Sequence, residues 1–427
     1  MTMDSSLPAI LYLAHRVPYP PDKGDRIRTF HVLRFLAQHA RVHLACLADE
    51  PFAPTSVDAL LGLCQRVEFV RLGSISRRLR ALASLVDGQT LSEGAFYSPK
   101  LATLVGSWAC QTQYAAVLIS SSALVPYVDL PELQCVPAVM DLMDLDSAKW
   151  QQYSAEGGIR AWLHRTEARR MRRLETRLSY RARAIVFVSD REANLYRQSC
   201  ARGSVAVIPN GVDLEYFRMG NQSAVPSCVF VGALDYRPNV EGICWFCQEV
   251  WPELIKLYPS LKLSVVGRRP VQAVRRLGRL NGVLVRGDVP DVRPYLGQAS
   301  VAVVPVEIAR GVQNKVLEAL AMGTPVVASR PALLGTNARP GQHLLSATSP
   351  REWVCAVRTL LEDAPLRESL QAAGRQYVEE HHRWDYCLSP FTSLLGIPEK
   401  ADEFRIVTHS MPLESRTLNQ KKTARAG

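Results

Sequence analysis

Apolar runs rich in Val, Ile, Leu and Ala alternate with helix-like segments along most of this chain, and the alternation occurs as two series. "AILYLA" reads as a strand, "RTFHVLRFLAQHA" as the helix after it, and "RVHLACLA", "AAVLISS", "CVPAVMDL" and "RAIVFVS" as further strands. Near Gly203 the pattern restarts with "VAVIPN", followed by "SCVFVGAL", "LKLSVVG", "VLVRG", "VAVVPV" and "TPVVAS". Strands that are apolar throughout, rather than at every second position, are buried on both faces. That burial pattern belongs to parallel sheets covered by helices. Two series therefore predict two doubly wound, Rossmann-like α/β domains. The aperiodic "ARGSV", Ala201 to Val205, marks the boundary, giving domains over 1–203 and 204–396. Beyond Gly396 the chain is polar and aperiodic, which predicts a mobile tail over 397–427.

The 427 residues give each domain room for its own core, and 47% hydrophobic with 21% charged residues is ordinary globular composition. No stretch approaches the roughly 18 to 20 apolar residues of a membrane helix. "MTMDSSLPAILYLAHRVPYPP" has an acid and serines where a secretory leader would be basic, so a cytoplasmic protein is expected. Ten cysteines without regular spacing suit a reducing compartment. Cys244 and Cys247 form a C-x-x-C, but no second pair follows at zinc spacing. Their neighbours Trp245, Phe246 and Val250 predict a packed helix instead.

The net charge of +11 implies a polyanionic partner. Ile159 to Arg183 carries nine arginines and no lysine. At helical spacing Leu163, Met171, Leu174 and Leu178 form an apolar stripe, with arginines over the remainder. "ISRRLRALASLV", Ile75 to Val86, is a second basic, amphipathic piece.

Several stretches have the makings of a ligand site. "HRVPYPPDKGDRIRTF" places Gly24 between the first strand and a helix. There a glycine lets backbone approach a ligand and the helix offers free N–H groups, although a plain connection capped by Asp25 reads equally well. In "VIPNGVDLEYF", Asn210-Gly211 demands a tight turn and Asp213 can cap the segment after it. "VFVGALDYRPNVEG" and "SVVGRRP" end strands in Gly232 and Gly267, at the carboxyl edge of a parallel sheet where such folds bind ligands. "ARGVQNKVLEALAMG" gathers Arg310, Gln313, Asn314, Lys315 and Glu318 at a helix start, a place that favours phosphate. Glu318, one turn in among Leu317, Leu320 and Ala321, can accept hydrogen bonds from sugar hydroxyls. No Walker loop, G-x-G-x-x-G or H-E-x-x-H is present. His381 and His382 read as surface or packing residues.

The order "PPDKGDR", "VFVSD", "VIPNGVD", "VFVGALDYRPN", "SVVGRRP", "RGVQNKVLEALAMGTPVVAS" resembles the retaining glycosyltransferases of the GT-B fold, family four. It spans the chain to about Gly396. "AHRVPYPPDKGDRIRTFH", "DLDSAKW" and "ARGVQNKVLEALAMG" are similar to a subfamily associated with exopolysaccharide and PEP-CTERM/exosortase gene clusters. The resemblance implies two domains facing across a cleft, with the last helix packing back on the first domain. It also implies a nucleotide-diphosphate sugar held by the second domain and an acceptor on the first. Glu318 matches the second Glu of the family's E-x7-E signature and would hold the ribose. Asn210, Gly232, Gly267, Gln313, Asn314, Lys315 and Gly24 would line the donor site. Arg310 stands where the first, sugar-reading Glu is usual. The family's basic pair for the diphosphate falls at Ala233 and Glu241. Arg310 and Lys315 would supply that positive charge, or Arg310 would read an acidic sugar. Where many members carry a His after the strand "CVPAVMDL", this chain has Asp141, with Asp144 and Asp146 close by. Asp141 thus joins Lys315 and Arg310 as a candidate reacting group.

The expected chemistry is retaining sugar transfer from the nucleotide sugar to a lipid-phosphate-linked or saccharide acceptor, without cofactor or metal. "DLMDLD" is read as an acceptor-side loop. An epimerase of the same fold would instead convert the nucleotide sugar with no acceptor. A nucleic-acid-binding protein is the reading from another class; few aromatics interleave the arginines, so no nucleic acid is expected. The basic segments predict peripheral attachment, without insertion, to the anionic inner face of the cell membrane.

Overall fold

The structure is a computed structural model that describes residues 7–84, 86–155, 161–200, 202–220, 225–309 and 311–398. The first domain holds β1 (Ala9–Ala14), β2 (Arg41–Ala48), β3 (Arg66–Arg71), β4 (Ala116–Ile119), β5 (Ala138–Met143), β6 (Ala184–Phe187) and β7 (Val205–Val207). Every pairing is parallel, in the order β3-β2-β1-β4-β5-β6-β7. The second holds β8 (Ser227–Val231), β9 (Lys262–Gly267), β10 (Val283–Gly287), β11 (Val301–Val304), β12 (Val326–Ser329) and β13 (Leu345–Ala347). Its sheet, also parallel, runs β10-β9-β8-β11-β12-β13. Two parallel-sheet α/β domains of seven and six strands are the architecture expected from the two apolar series.

The two-residue period of a strand explains why those series are apolar throughout. In β1, Leu11 and Leu13 enter the core on one face of the sheet, and Ile10, Tyr12 and Ala14 the core on the other. The second sheet repeats this, with Val229 on one side and Cys228 and Phe230 on the other.

Helices that matter below are α1 (Gly24–His39), α2 (Ser74–Ala83), α3 (Asp146–Ala155), α4 (Ala161–Arg181), α5 (Arg237–Trp245), α6 (Asn314–Ala321), α7 (Ala364–His381), α8 (Trp384–Leu388) and α9 (Pro390–Leu395). In α4, Met171, Leu174 and Leu178 are buried as the apolar stripe requires. Glu167 and Glu175 share that buried face, where they accept hydrogen bonds from the Leu91 and Ser147 backbone N–H groups. Residues 159 and 160 of the basic run lie outside the described residues. Cys247 is buried and Cys244 half-buried, and neither forms a disulfide.

The domain boundary is displaced from the one expected. The apolar pattern places β7 in the second domain, but it pairs with β6 through Ile185–Val205, Val186–Ala206 and Phe187–Val207. The first sheet therefore runs past 203, and the chain crosses over at Ile208–Val212. It returns at His382–Arg383, right beside the first crossing, where the Val212 N–H donates to the His382 carbonyl at 2.7 Å. His382 is buried: Nε2 meets the Tyr377 hydroxyl and Nδ1 the Asn210 carbonyl, each at 2.8 Å. Beyond this return, Trp384 stacks on His31 of α1 with ring centroids 4.4 Å apart. Phe391, Leu395 and Ile397 complete a first-domain core. Ile397 is thus core rather than the first residue of a tail; the remainder of the expected tail, 399–427, lies outside the described residues.

Candidate functional site

The carboxyl edges of the two sheets face one another, and the loops leaving them line a cleft. On the second domain, β8 ends at Gly232 and β9 at Gly267. The Gly232 N–H donates to the Val266 carbonyl at 3.1 Å, and a Cβ on Gly267 would run into the Gly232 carbonyl oxygen. A Cβ on Gly232 would meet Asn239 Nδ2 at 2.8 Å and Lys315 Cε at 3.3 Å. Bare backbone at Gly267 lets the two strand ends approach, and bare backbone at Gly232 leaves space for two side chains that converge there.

Those side chains are Lys315 and Asn239. Lys315 is in the first turn of α6, behind the N-cap Gln313. Its Nζ donates to Asn239 Oδ1 at 2.7 Å and Gln313 Oε1 at 3.3 Å, and lies 5.9 Å from the Phe230 ring centre. Asn239, buried in α5, is fixed in turn by donating from Nδ2 to the Ala233 carbonyl at 2.9 Å. Glu318 stands one turn along α6, and among the described residues its carboxylate has no hydrogen-bond partner. Burial pulls the Lys315 ammonium down to about 8, with Glu318 pushing the other way. Burial lifts the Glu318 carboxyl to about 7 against the pull of Lys315. A half-buried cation and a half-buried acceptor, the acceptor with no hydrogen-bond partner among the described residues, stand on one turn and form a site for a group offering both negative charge and hydroxyls.

A buried polar chain ties α6 to the first domain. Asn314 Oδ1 accepts from Asn210 Nδ2 at 3.0 Å, and Asn210 Oδ1 accepts from the Arg28 guanidinium at 3.0 Å. Arg28 of α1 also donates to the Ile208 carbonyl and grips both oxygens of Asp141, from Nε to Oδ2 at 2.8 Å and from Nη2 to Oδ1 at 2.9 Å. Arg28 and Asp141 are each 0% exposed. Asp141, a candidate reacting group by sequence, is instead enclosed within β5, where it holds Arg28. Asp146 accepts from Ser122 at 2.6 Å, and Gly311 passes close to Asp144, so "DLMDLD" does border the cleft.

Gly24 opens α1 with free space where a Cβ would point. Beside it, burial opposes ionisation of Asp25, yet His15 at 3.3 Å and Arg16 at 2.9 Å hold the carboxyl well below the usual range. At the mouth, Arg268 pairs with Asp22 and Arg269 with Glu50 at 3.6 Å, bridging the domains. Residues including Tyr19, Asp22, Glu50, Arg268 and Arg269 enclose a cavity of about 210 Å³ there. At the opposite end Arg293, gripped by Asp291 at 2.8 Å, lies 3.8 Å over the Tyr216 ring. Glu318 is near enough to add to the upward shift of the Tyr216 hydroxyl, which burial and Asp291 dominate.

The structure thus brings Asn210, Gly232, Gly267, Gln313, Asn314, Lys315 and Glu318 to one side of the cleft and Gly24 to the other. Arg310 lies outside the described residues. Glu241, matched by sequence to a diphosphate position, is instead exposed and paired to Arg237 one turn earlier. Sequence reasoning passes over Arg28, Asn239, Tyr216, Asp291 and Arg293. An asparagine in "DYRPN" and an arginine in a helix's second turn have no local feature that marks them.

Two family models match the chain: Glycosyl transferases group 1 over residues 225–363, and Glycosyltransferase Family 4 over residues 152–216. Among solved structures, sucrose-phosphate synthase from Thermosynechococcus elongatus is 18% identical, with a TM-score of 0.67 over 90% of this chain and 98% of that one. HepE from Anabaena, solved in complex with UDP and glucose, is 15% identical, with a TM-score of 0.65 over 91% and 99%. TarM is 7% identical, with a TM-score of 0.66 over 92% and 99%. The family matches and the architecture together support a glycosyltransferase of GT-B type.

Proposed function

We propose that this chain is a retaining glycosyltransferase that takes a sugar from a nucleotide-diphosphate donor. Its acceptor is a lipid-phosphate-linked or saccharide chain in exopolysaccharide assembly at the inner face of the cell membrane. The observation that carries the donor reading is the Lys315–Glu318 pair: a half-buried ammonium for the diphosphate and, one turn along, a half-buried carboxylate with no hydrogen-bond partner among the described residues for the ribose hydroxyls. HepE, a neighbour in fold, is known with UDP and glucose, which supports the same class of donor here.

In the reaction the anomeric C–O bond to the diphosphate breaks, its electron pair leaving with the phosphate, and the acceptor oxygen bonds to the anomeric carbon. The acceptor's proton passes to the departing phosphate. Charge builds on phosphate oxygens, so a fixed cation aimed at them lowers the barrier. Lys315, held by Asn239, supplies one. We assign Arg310 as a second, compensating for Ala233 and for Glu241, which faces outward. Asp141 serves by positioning: it fixes Arg28, which fixes Asn210 and so the start of α6.

The test is calorimetry with a panel of nucleoside diphosphates and their sugars, followed by product analysis. One base should bind in the micromolar range, and transfer should require an acceptor and keep the anomeric configuration. Conversion of the donor without acceptor would point to epimerisation; no nucleotide binding at all would overturn the reading. Arg310→Glu should weaken binding of the bare nucleoside diphosphate. Unchanged binding with altered sugar preference would give Arg310 the sugar-reading role instead.

A further inference from the structure

α2 is amphipathic with its apolar side turned away from the protein. None of its residues is buried. Ile75, Leu79, Leu82 and Val86, on this helix and the turn after it, are 75%, 62%, 60% and 89% exposed. At 3.6 residues per turn these four fall within about 60° of one another. The opposite side makes the contacts with the body. Arg77 donates to Asp49 at 3.2 Å, Arg80 Nε is buried, and Ser84 packs so closely on Gly94 that a Cβ there would clash. A helix that only covered a core would sit the other way round. Four large apolar side chains in a row, left in water, mark a contact surface.

We propose that α2 docks this protein on an anionic bilayer, its Ile75–Leu79–Leu82–Val86 stripe entering the boundary between headgroups and acyl chains. The charge around the stripe selects that occupant. From Leu72 to Val86 there is no carboxylate, and Arg78, exposed, stands at the stripe's edge. Arg170 of α4 ties the neighbouring basic helix to the end of α2, donating to the Ser84 carbonyl at 3.3 Å and the Gln89 carbonyl at 2.9 Å. Four more α4 arginines, Arg165, Arg169, Arg172 and Arg173, line a shallow groove with no carboxylate among its lining residues. An apolar helical stripe bordered by arginines is the pattern of an interfacial helix, and basic residues near an anionic surface strengthen its attachment. The stripe lies on one helix and the turn after it, which suits a broad lipid surface.

This goes beyond attachment by charge alone, because it requires insertion, and it stands whether or not the donor reading holds. The experiment uses the full chain and vesicles of phosphatidylglycerol and phosphatidylcholine. The parent should sediment with anionic vesicles at low salt, and Leu79→Gln/Leu82→Gln should lower that binding about tenfold or more while circular dichroism and nucleotide binding stay unchanged. In Leu79→Trp/Trp162→Phe, with Trp162 removed as an exposed reporter, emission should shift to the blue on adding vesicles. Vesicle binding equal in parent and double variant, absent from the parent, or without a blue shift in the Leu79→Trp/Trp162→Phe protein would overturn the proposal. So would a parent dimer that the double variant splits with vesicle binding unaltered, since a second copy would then cover the stripe.

Discussion

Asn239 Oδ1 sits 2.7 Å from Lys315 Nζ, and joins a helix of the second domain's first βα unit to the first turn of α6. The bond aims an ammonium that burial has already made easier to deprotonate, at about 8. Lys315→Ala should lower turnover by about 100-fold or more, the usual cost of one lost charge-stabilising donor, with the fold intact. Asn239→Ala should leave the charge but lose its aim, lowering turnover by about tenfold. Near-normal rates in both variants, measured with the identified donor, would remove Lys315 from the site.

The same pair sets a pH dependence. Free Lys315 loses its proton as pH rises through about 8, and a bound diphosphate favours the ammonium. Donor binding above that pH therefore takes up a proton, and affinity falls as pH rises. Free Glu318 gains a proton as pH falls through about 7, and the ribose hydroxyls need its carboxylate form. Affinity accordingly also falls on the acid side. Titration calorimetry with a nucleotide-diphosphate sugar, whose bridging phosphates do not titrate here, should give a maximum between these values. Glu318→Gln should abolish the acid limb and cost about 1 to 3 kcal/mol of binding; Lys315→Met should abolish the alkaline limb.

The Arg28–Asp141 pair should behave as a buried ion pair does. Asp141→Leu strands a guanidinium that is 0% exposed and should cost about 3 to 5 kcal/mol, read by denaturant unfolding. Arg28→Met/Asp141→Leu should regain much of that loss. Turnover should stay low in the double variant, because Asn210 has lost the donor that orients it towards Asn314. Full turnover in the double variant would mean the chain of polar contacts plays no part in positioning α6.

Arg268–Asp22 and Arg269–Glu50 bridge the mouth of the cleft. Exposed pairs of this kind are each worth about 0 to 1 kcal/mol and weaken with salt. Asp22→Asn/Glu50→Gln should therefore raise the radius of gyration in small-angle scattering without ligand, as high salt should in the parent. No change in either case would show that the pairs do not hold the domains together.

The strands are readable because burial on both faces writes itself into consecutive residues, and Glu318 because a carboxylate on an apolar helix needs an explanation. The features that escape are choices made at a distance. Val205–Val207 is equally apolar in either sheet, and only its pairing with β6 decides between them. Asp141 late in its strand reads as reactive until Arg28, far off in sequence, closes on it. The stripe of α2 has the same period whether it faces a core or a bilayer, and its direction comes from Arg77 reaching Asp49.

The chain passes between its domains twice, at Ile208–Val212 and at His382–Arg383, and the two passages are bonded side by side. Both halves thus hang from a single pin. The two passages give the halves one shared hinge, and because the closing helices are built into the first domain's core, that half does not have its fold complete without the far end of the chain. A cleft that opened about such a hinge would bring its two edges back to the same register, as the blades of scissors do, without their having to find one another.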